Sequence, residues 1–227
     1  MNQKSKIAVV LDFDRTLFDT DTFKLDLAKS VKKFGVSDEL FFKLYKKSIT
    51  ENADGVHSYN LQKHVGLMGD KVANLSPIKV RRGLLKIIAN SRKYLYPETI
   101  KFLQQLRKEK FYLILLTHGH QAFQQKKVNG TGIVKYFNKL VILDGEVKAP
   151  RFKQYLSKFS KVWFISDHIG ELVTIKATCP KVKLILKLGG YSTAQAARAA
   201  NIVKEKRLLK IFKYIKNQIK KRGNNEH

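Results

Sequence analysis

Five short apolar runs constrain this chain more than any other feature. KIAVVLDF (residues 6 to 13), FYLILLT (111 to 117), KLVILD (139 to 144), KVWFIS (161 to 166) and KVKLILKL (181 to 188) are rich in Val, Ile, Leu and Phe without strict alternation. That is the pattern of strands buried on both faces, as in a parallel sheet. Helical patterns separate them. PETIKFLQQLRKEK opens on Pro97 and Glu98 and spaces Ile100, Leu103 and Leu106 on one face, while APRFKQYLSKF sets Phe152, Tyr155, Leu156 and Phe159 at i, i+3, i+4 and i+7. Strands alternating with helices imply right-handed crossover units, so the sequence predicts an α/β fold, a three-layer sandwich around a parallel sheet.

The first and second runs are separated by residues 14 to 110, far more chain than one crossover helix needs. FKLDLAKSVKKFG, SDELFFKLYKKSI and SPIKVRRGLLKIIANSRKYL have helical apolar spacing, with caps at Ser37 and Ser76 and a cap or hinge at Asp19. The expected organisation is a core domain from residues 1–19 and 96–227 and a mostly helical insert over 20–95. Set over the carboxyl edge of the sheet, the insert is placed to act as a lid. His57, His64, Arg81 and Arg82, within it, are expected at the surface. STAQAARAANIVKEKRLLKIFKYIKNQIKKR reads as two closing helices, with Ile211, Phe212, Ile215 and Ile219 spaced to dock on the sheet.

Hydrophobic residues make up 44% of the chain, enough for a real core. Cys179 is the single cysteine, which excludes an internal disulfide framework and a cysteine-rich metal site and fits a reducing compartment. Asp12 interrupts the first apolar run too early for a signal-peptide core, and no run reaches membrane-spanning length, so a cytoplasmic protein is expected. Lys and Arg number 45 against 18 Asp and Glu, a formal charge of +27 that favours anionic ligands. Lysines spread over solvated helix faces account for much of it.

Ligands of open parallel sheets bind outside the carboxyl ends of the strands. The residues that follow each run therefore converge on one place. The first run delivers Asp12 and Asp14 with Arg15 and Thr16 behind; the second delivers Thr117, His118, Gly119 and His120. The fourth delivers Ser166 and Asp167, with Glu171 one helical turn on, and Lys148 lies in the connection GEVKAPRF. Several carboxylates, a hydroxyl and an ammonium suit phosphoryl transfer to a carboxylate nucleophile, helped by a hard divalent cation. An acid two residues from the nucleophile can protonate the leaving oxygen and later take a proton from water.

The order DxDxT after the first strand, Thr after the second, a lysine, and then SDxxxE after a later strand resembles the haloacid dehalogenase (HAD) superfamily. YLYPETIKFLQQLRKEKFYLILLTHG, GIVKYFNKLVI, KAPRF and AANIVKEKRLLKIF resemble further core segments, the last a closing helix. The insert resembles the C1-type cap of phosphoglycolate-phosphatase-like members. The resemblance implies a Rossmann-like, HAD-like core with Asp12 as nucleophile and Asp14 as general acid/base. It also implies Mg²⁺ held by the Asp12 carboxylate, the Asp14 backbone carbonyl and Asp167, with Glu171 in support, and a phosphoryl group held by Thr117 and Lys148. An acid at Asp14 favours phosphoester chemistry, since dehalogenases lack one there.

Three departures stand out. Arg15 occupies a position commonly glycine, His118 one where Asn is frequent, and Lys126 and Lys127 are alternatives to Lys148, which its KAPRF context favours. Thr16, His118, Gly119 and Arg15 are the expected substrate contacts. The function that follows is a Mg²⁺-dependent phosphatase of a small phosphorylated metabolite, working through an aspartyl-phosphate. Its alternatives are a phosphomutase of the same superfamily or a nucleic-acid-binding protein on this scaffold, although no stacking platform or nucleic-acid motif is visible.

Overall fold

The computed structural model describes residues 7–51, 57–190 and 192–223. In chain order its elements are β1 (Ile7–Leu11), α1 (Thr20–Val31), α2 (Asp38–Lys47), β2 (Ile49–Glu51), β3 (His57–Tyr59), α3 (Leu61–Gly69), α4 (Pro77–Ala89) and α5 (Thr99–Lys108). There follow β4 (Tyr112–His118), α6 (Gln121–Thr131), β5 (Lys139–Leu143), α7 (Ala149–Lys158), β6 (Lys161–Ser166), α8 (Ile169–Thr178), β7 (Lys183–Lys187), α9 (Ala194–Ala199), β8 (Val203–Glu205) and α10 (Leu208–Gly223).

Among the described residues, six strands form one sheet in the order β5-β4-β1-β6-β7-β8, with every pair parallel. β1 sits inside the sheet, and its side chains leave by both faces. Val9 and Leu11 join the core beneath α5 and α10, while Ala8 and Val10 join the opposite layer beneath α7 and α8. Burial on both faces removes the need for polar alternation, which is why the runs read as continuously apolar. The result is the expected α/β sandwich.

Two elements depart from the sequence expectation. AANIVKEKRLLKIF is not one closing helix, because β8 interrupts it and pairs with β7 through Ile185–Val203 and Lys187–Glu205. A three-residue edge strand with Lys204 at its centre and Lys206 just after it leaves no run to recognise. The insert is also not wholly helical: β2 and β3 pair antiparallel within it.

The caps are where the sequence places them, with the side chains of Asp19, Ser37 and Ser76 accepting from Thr22, Leu40 and Lys79 amides at the starts of α1, α2 and α4. α10 docks through fully buried Ile211 and Ile215, and its first turn is anchored by Glu98, which accepts from the Leu209 amide at 3.0 Å and from Arg207.

The insert packs on the core along two seams. α4 lies against α6 so closely that a Cβ on Gly130 would collide with the Ile88 carbonyl oxygen, and the apolar cores of the two parts are continuous through Phe18, Phe23, Leu84 and Val128. On the other side, the hairpin reaches the loop after β5, where Ser58 Oγ donates to Asp144 Oδ1 at 2.7 Å. Asp144 Oδ2 also accepts from the Gln121 amide.

His64 is not at the surface as expected. It is fully buried between Tyr59 Oη and the Phe41 carbonyl, and burial holds its pKa down at about 4. Arg81 and Arg82 are exposed, and the His57 side chain lies outside the described residues. No helix among the described residues is long and apolar enough to cross a membrane.

Candidate active site

Asp12 follows β1 directly, and its amide donates to the Ile165 carbonyl of β6, which fixes the strand exit. Its Oδ1 accepts from Lys148 Nζ at 2.7 Å, and Lys148 also contacts Glu171 at 3.0 Å. The Lys148 side chain is 2% exposed, and its ammonium is shared between the two carboxylates. Glu171 is further held by Ser166 Oγ at 3.0 Å and by the His118 ring at 3.4 Å. Thr16 is a brace rather than the expected substrate contact. It is fully buried, donates to Asp12 Oδ2 at 3.4 Å and accepts from the Asp167 amide at 3.1 Å, tying the exits of β1 and β6 together.

Asp14 faces a different set. Lys127 Nζ reaches its two oxygens at 2.7 and 2.9 Å, Thr20 Oγ1 donates to it at 2.5 Å, and Gln124 Nε2 at 2.8 Å. Gln124 donates equally to Thr117 Oγ1, so one amide joins the β1 and β4 exits. The choice between Lys148 and Lys127 is therefore not exclusive: Lys148 serves Asp12, and Lys127 serves Asp14. Lys127 was expected only as an alternative to Lys148, and Gln124 and Thr20 were missed by sequence reasoning. The available signal was the i, i+3 spacing of Gln124 and Lys127 on the helix that follows Thr117, which turns both toward the strand ends.

The other expected contacts divide. Gly119 has φ +137°, a backbone region that favours glycine, but its amide is spent on the Leu143 carbonyl. His118 directs one ring nitrogen at the Glu146 carbonyl and turns the other toward Glu171, which it positions, while it also lines the cavity beside Asp14. Arg15 adopts φ +54°, unusual for a side-chain-bearing residue, and pairs through two bonds with Asp21. Beside these groups lies a cavity of about 380 Å³ lined by Asp14, Arg15, Lys24, Tyr59, Phe123 and Lys127, among others. A cavity of about 340 Å³ at the opposite edge of the sheet, beside Trp163 and Lys183, has none of the strand-end carboxylates and is set aside as the reaction site.

Burial and charge separate the acids. Asp12 is pushed up to about 6, by burial first and in spite of Lys148. Asp167 rises to about 7, by burial and then by the Asp12 charge. Burial also raises Asp14, but Lys127 and the hydrogen bonds from Thr20 and Gln124 overcome it and hold the group at about 2. Glu171 is held below its ordinary value because Lys148 and His118 outweigh its burial.

Asp12 and Asp167 are thus two buried acids, the second raised further by the charge of the first, a donor pair that suits a divalent cation, since Mg²⁺ takes one or two carboxylates and keeps several waters. The fit does not extend to four acids. The Glu171 carboxylate is engaged by Lys148 and that of Asp14 by Lys127, and no group of three His, Cys, Asp or Glu among the described residues forms a ready metal cluster.

A stability test follows from these shifts. A carboxyl whose folded pKa is raised binds its proton more tightly in the folded state, so in EDTA the contribution of Asp12 and Asp167 to stability falls as pH rises from about 4 to about 7. A cation bound between them reverses that loss. The rise in Tm on adding MgCl₂ is expected to be larger at about pH 8 than at about pH 5, and to vanish in Asp167→Asn. Equal increments at both pH values would refute the assignment.

The haloacid dehalogenase-like hydrolase family model matches residues 8–177. Among solved structures, a haloacid dehalogenase-like hydrolase candidate from Burkholderia xenovorans LB400 is 16% identical, with 90% of this chain and 94% of that chain covered, at TM-score 0.66. A beta-phosphoglucomutase candidate from Thermotoga maritima is 14% identical, covering 93% and 99%, at 0.64. A phosphoglycolate phosphatase candidate from Haemophilus somnus 129PT is 16% identical, covering 95% and 99%, at 0.56. No curated protein matches the chain by sequence. The chain belongs to the haloacid dehalogenase-like hydrolases.

Proposed function

We propose that the protein is a Mg²⁺-dependent phosphatase of a small phosphorylated metabolite, acting through an aspartyl-phosphate on Asp12. The observation that carries this reading is the pairing of a buried carboxylate, Asp12, with a buried ammonium, Lys148, beside a second strand-end acid, Asp14, with its own cation. Residues 20–95 serve as the cap.

Mg²⁺ between Asp12 and Asp167, with the Asp14 carbonyl, would neutralise charge on the phosphoryl oxygens. The remaining chemistry belongs to the chain. The Asp12 carboxylate attacks phosphorus as the ester oxygen leaves. Lys148 and the Thr117 hydroxyl hold equatorial oxygens, supplying fixed charge where it develops. Asp14 is ionised in the free enzyme; when an incoming phosphate monoanion draws Lys127 away, Asp14 takes the proton that the monoanion carries and passes it to the leaving oxygen, which leaves Asp14 a carboxylate able to take a proton from the water that cleaves the acyl phosphate.

The test is release of inorganic phosphate from a panel of phosphorylated metabolites. Turnover is expected with Mg²⁺, lost in EDTA and restored by Mg²⁺. Isomerised sugar phosphate in place of free phosphate would instead identify a mutase, and no turnover across the panel would count against phosphoester chemistry.

A further inference from the structure

The cavity beside Asp14 holds more positive charge than its acids neutralise. Lys127 is matched by Asp14, and Arg15 by Asp21. Lys24, on α1, lines the same cavity half-buried and makes no ion pair among the described residues. Its Nζ lies 4.8 Å from the centre of the Tyr45 ring, on the insert side of the cavity. Tyr45 stacks on Tyr59 at 4.6 Å, and Tyr59 meets Phe123 edge-on at 4.8 Å. The lysine therefore stands against an aromatic wall that lowers the local dielectric and strengthens any charge pairing there. Burial and the Arg15 charge both hold the Lys24 pKa below its ordinary value, as expected for an ammonium short of a counterion.

Asp12, which would receive the phosphoryl group, has a different ammonium, Lys148. Lys24 is on the cap side, where the part of the substrate that is not transferred must lie. Resting on the phosphatase reading, we infer that the substrate is a phosphomonoester with a second anionic group, a carboxylate or another phosphate, and that Lys24 reads that group.

The experiment compares phosphomonoesters matched in shape and differing by one charge, a carboxylate against its carboxamide. One pair is built on a phosphorylated three-carbon hydroxy acid and one on 4-substituted phenyl phosphate, so that chain length does not decide the outcome. The wild-type enzyme is expected to favour the carboxylate member of at least one pair in kcat/KM by roughly 10- to 100-fold, the size of a charge-assisted contact in a partly dry site. Lys24→Gln is expected to reduce that ratio to near unity and Lys24→Glu to invert it. Lys29→Gln, an equal loss of charge at an exposed position on the same helix, is expected to leave it intact. Phosphate release without preference in either pair, or a preference that persists in Lys24→Gln, overturns the inference alone. No phosphate release from any member overturns the phosphatase reading and this inference with it.

Discussion

Asp12→Asn is expected to lower turnover of an aryl phosphate on the order of 10⁴-fold or more, because an amide cannot form the acyl phosphate on which both half-reactions depend. The fold should survive. Asn keeps the shape of Asp, Lys148 retains Glu171 at 3.0 Å, and Asp167 loses the neighbouring charge that helps raise it. Circular dichroism and Tm should therefore stay close to wild type while phosphate release disappears. A folded Asp12→Asn protein with substantial turnover would refute the nucleophile assignment.

Lys148→Met is expected to damage both stability and rate. The substitution roughly conserves volume but leaves Asp12 and Glu171 facing one another without their cation, and removing one partner from a buried ion pair costs about 3–5 kcal/mol. For a chain of this size that corresponds to a fall in Tm on the order of 10 °C. The activity that survives should move to higher pH. Lys148 is what restrains Asp12 against burial; without it Asp12 stays protonated to higher pH, and only its ionised form attacks. A pH–rate profile separates this from simple unfolding, since a merely structural lysine would lower the amount of active enzyme without displacing the profile. An unshifted profile with unchanged Tm would remove Lys148 from the site.

Much of the core was legible in the chain because its strands are buried twice over. Val9, Val10 and Leu11 touch apolar layers above and below the sheet, so the run declares itself, and the acid that ends it marks the carboxyl edge. Asp12, Asp14, Thr117, Lys148 and Glu171 could be gathered because each follows directly from a strand or begins a helix. The network around Asp14 could not: Lys127 was legible only as an alternative to Lys148, and Thr20 and Gln124 not at all. Thr20 is on the first helix of the insert and the other two are on α6, and only the packing of these elements brings them together. Glu171 was read as a metal helper from the family resemblance; the lysine that occupies it arrives from a loop over twenty residues away in sequence. β8 escaped because a three-residue edge strand has too little periodicity to register.

The seat of α4 on Gly130 sets how the site can admit a ligand. A helix resting backbone to backbone on its neighbour slides poorly, so that flank behaves as a fixed wall. The hairpin flank is fastened through side chains instead, by the buried hydroxyl of Ser58 on Asp144 and by the Tyr59 ring set edge-on to Phe123. Among the described residues the two flanks therefore hold the chamber by different means, backbone against backbone at α4 and side chains alone at the hairpin.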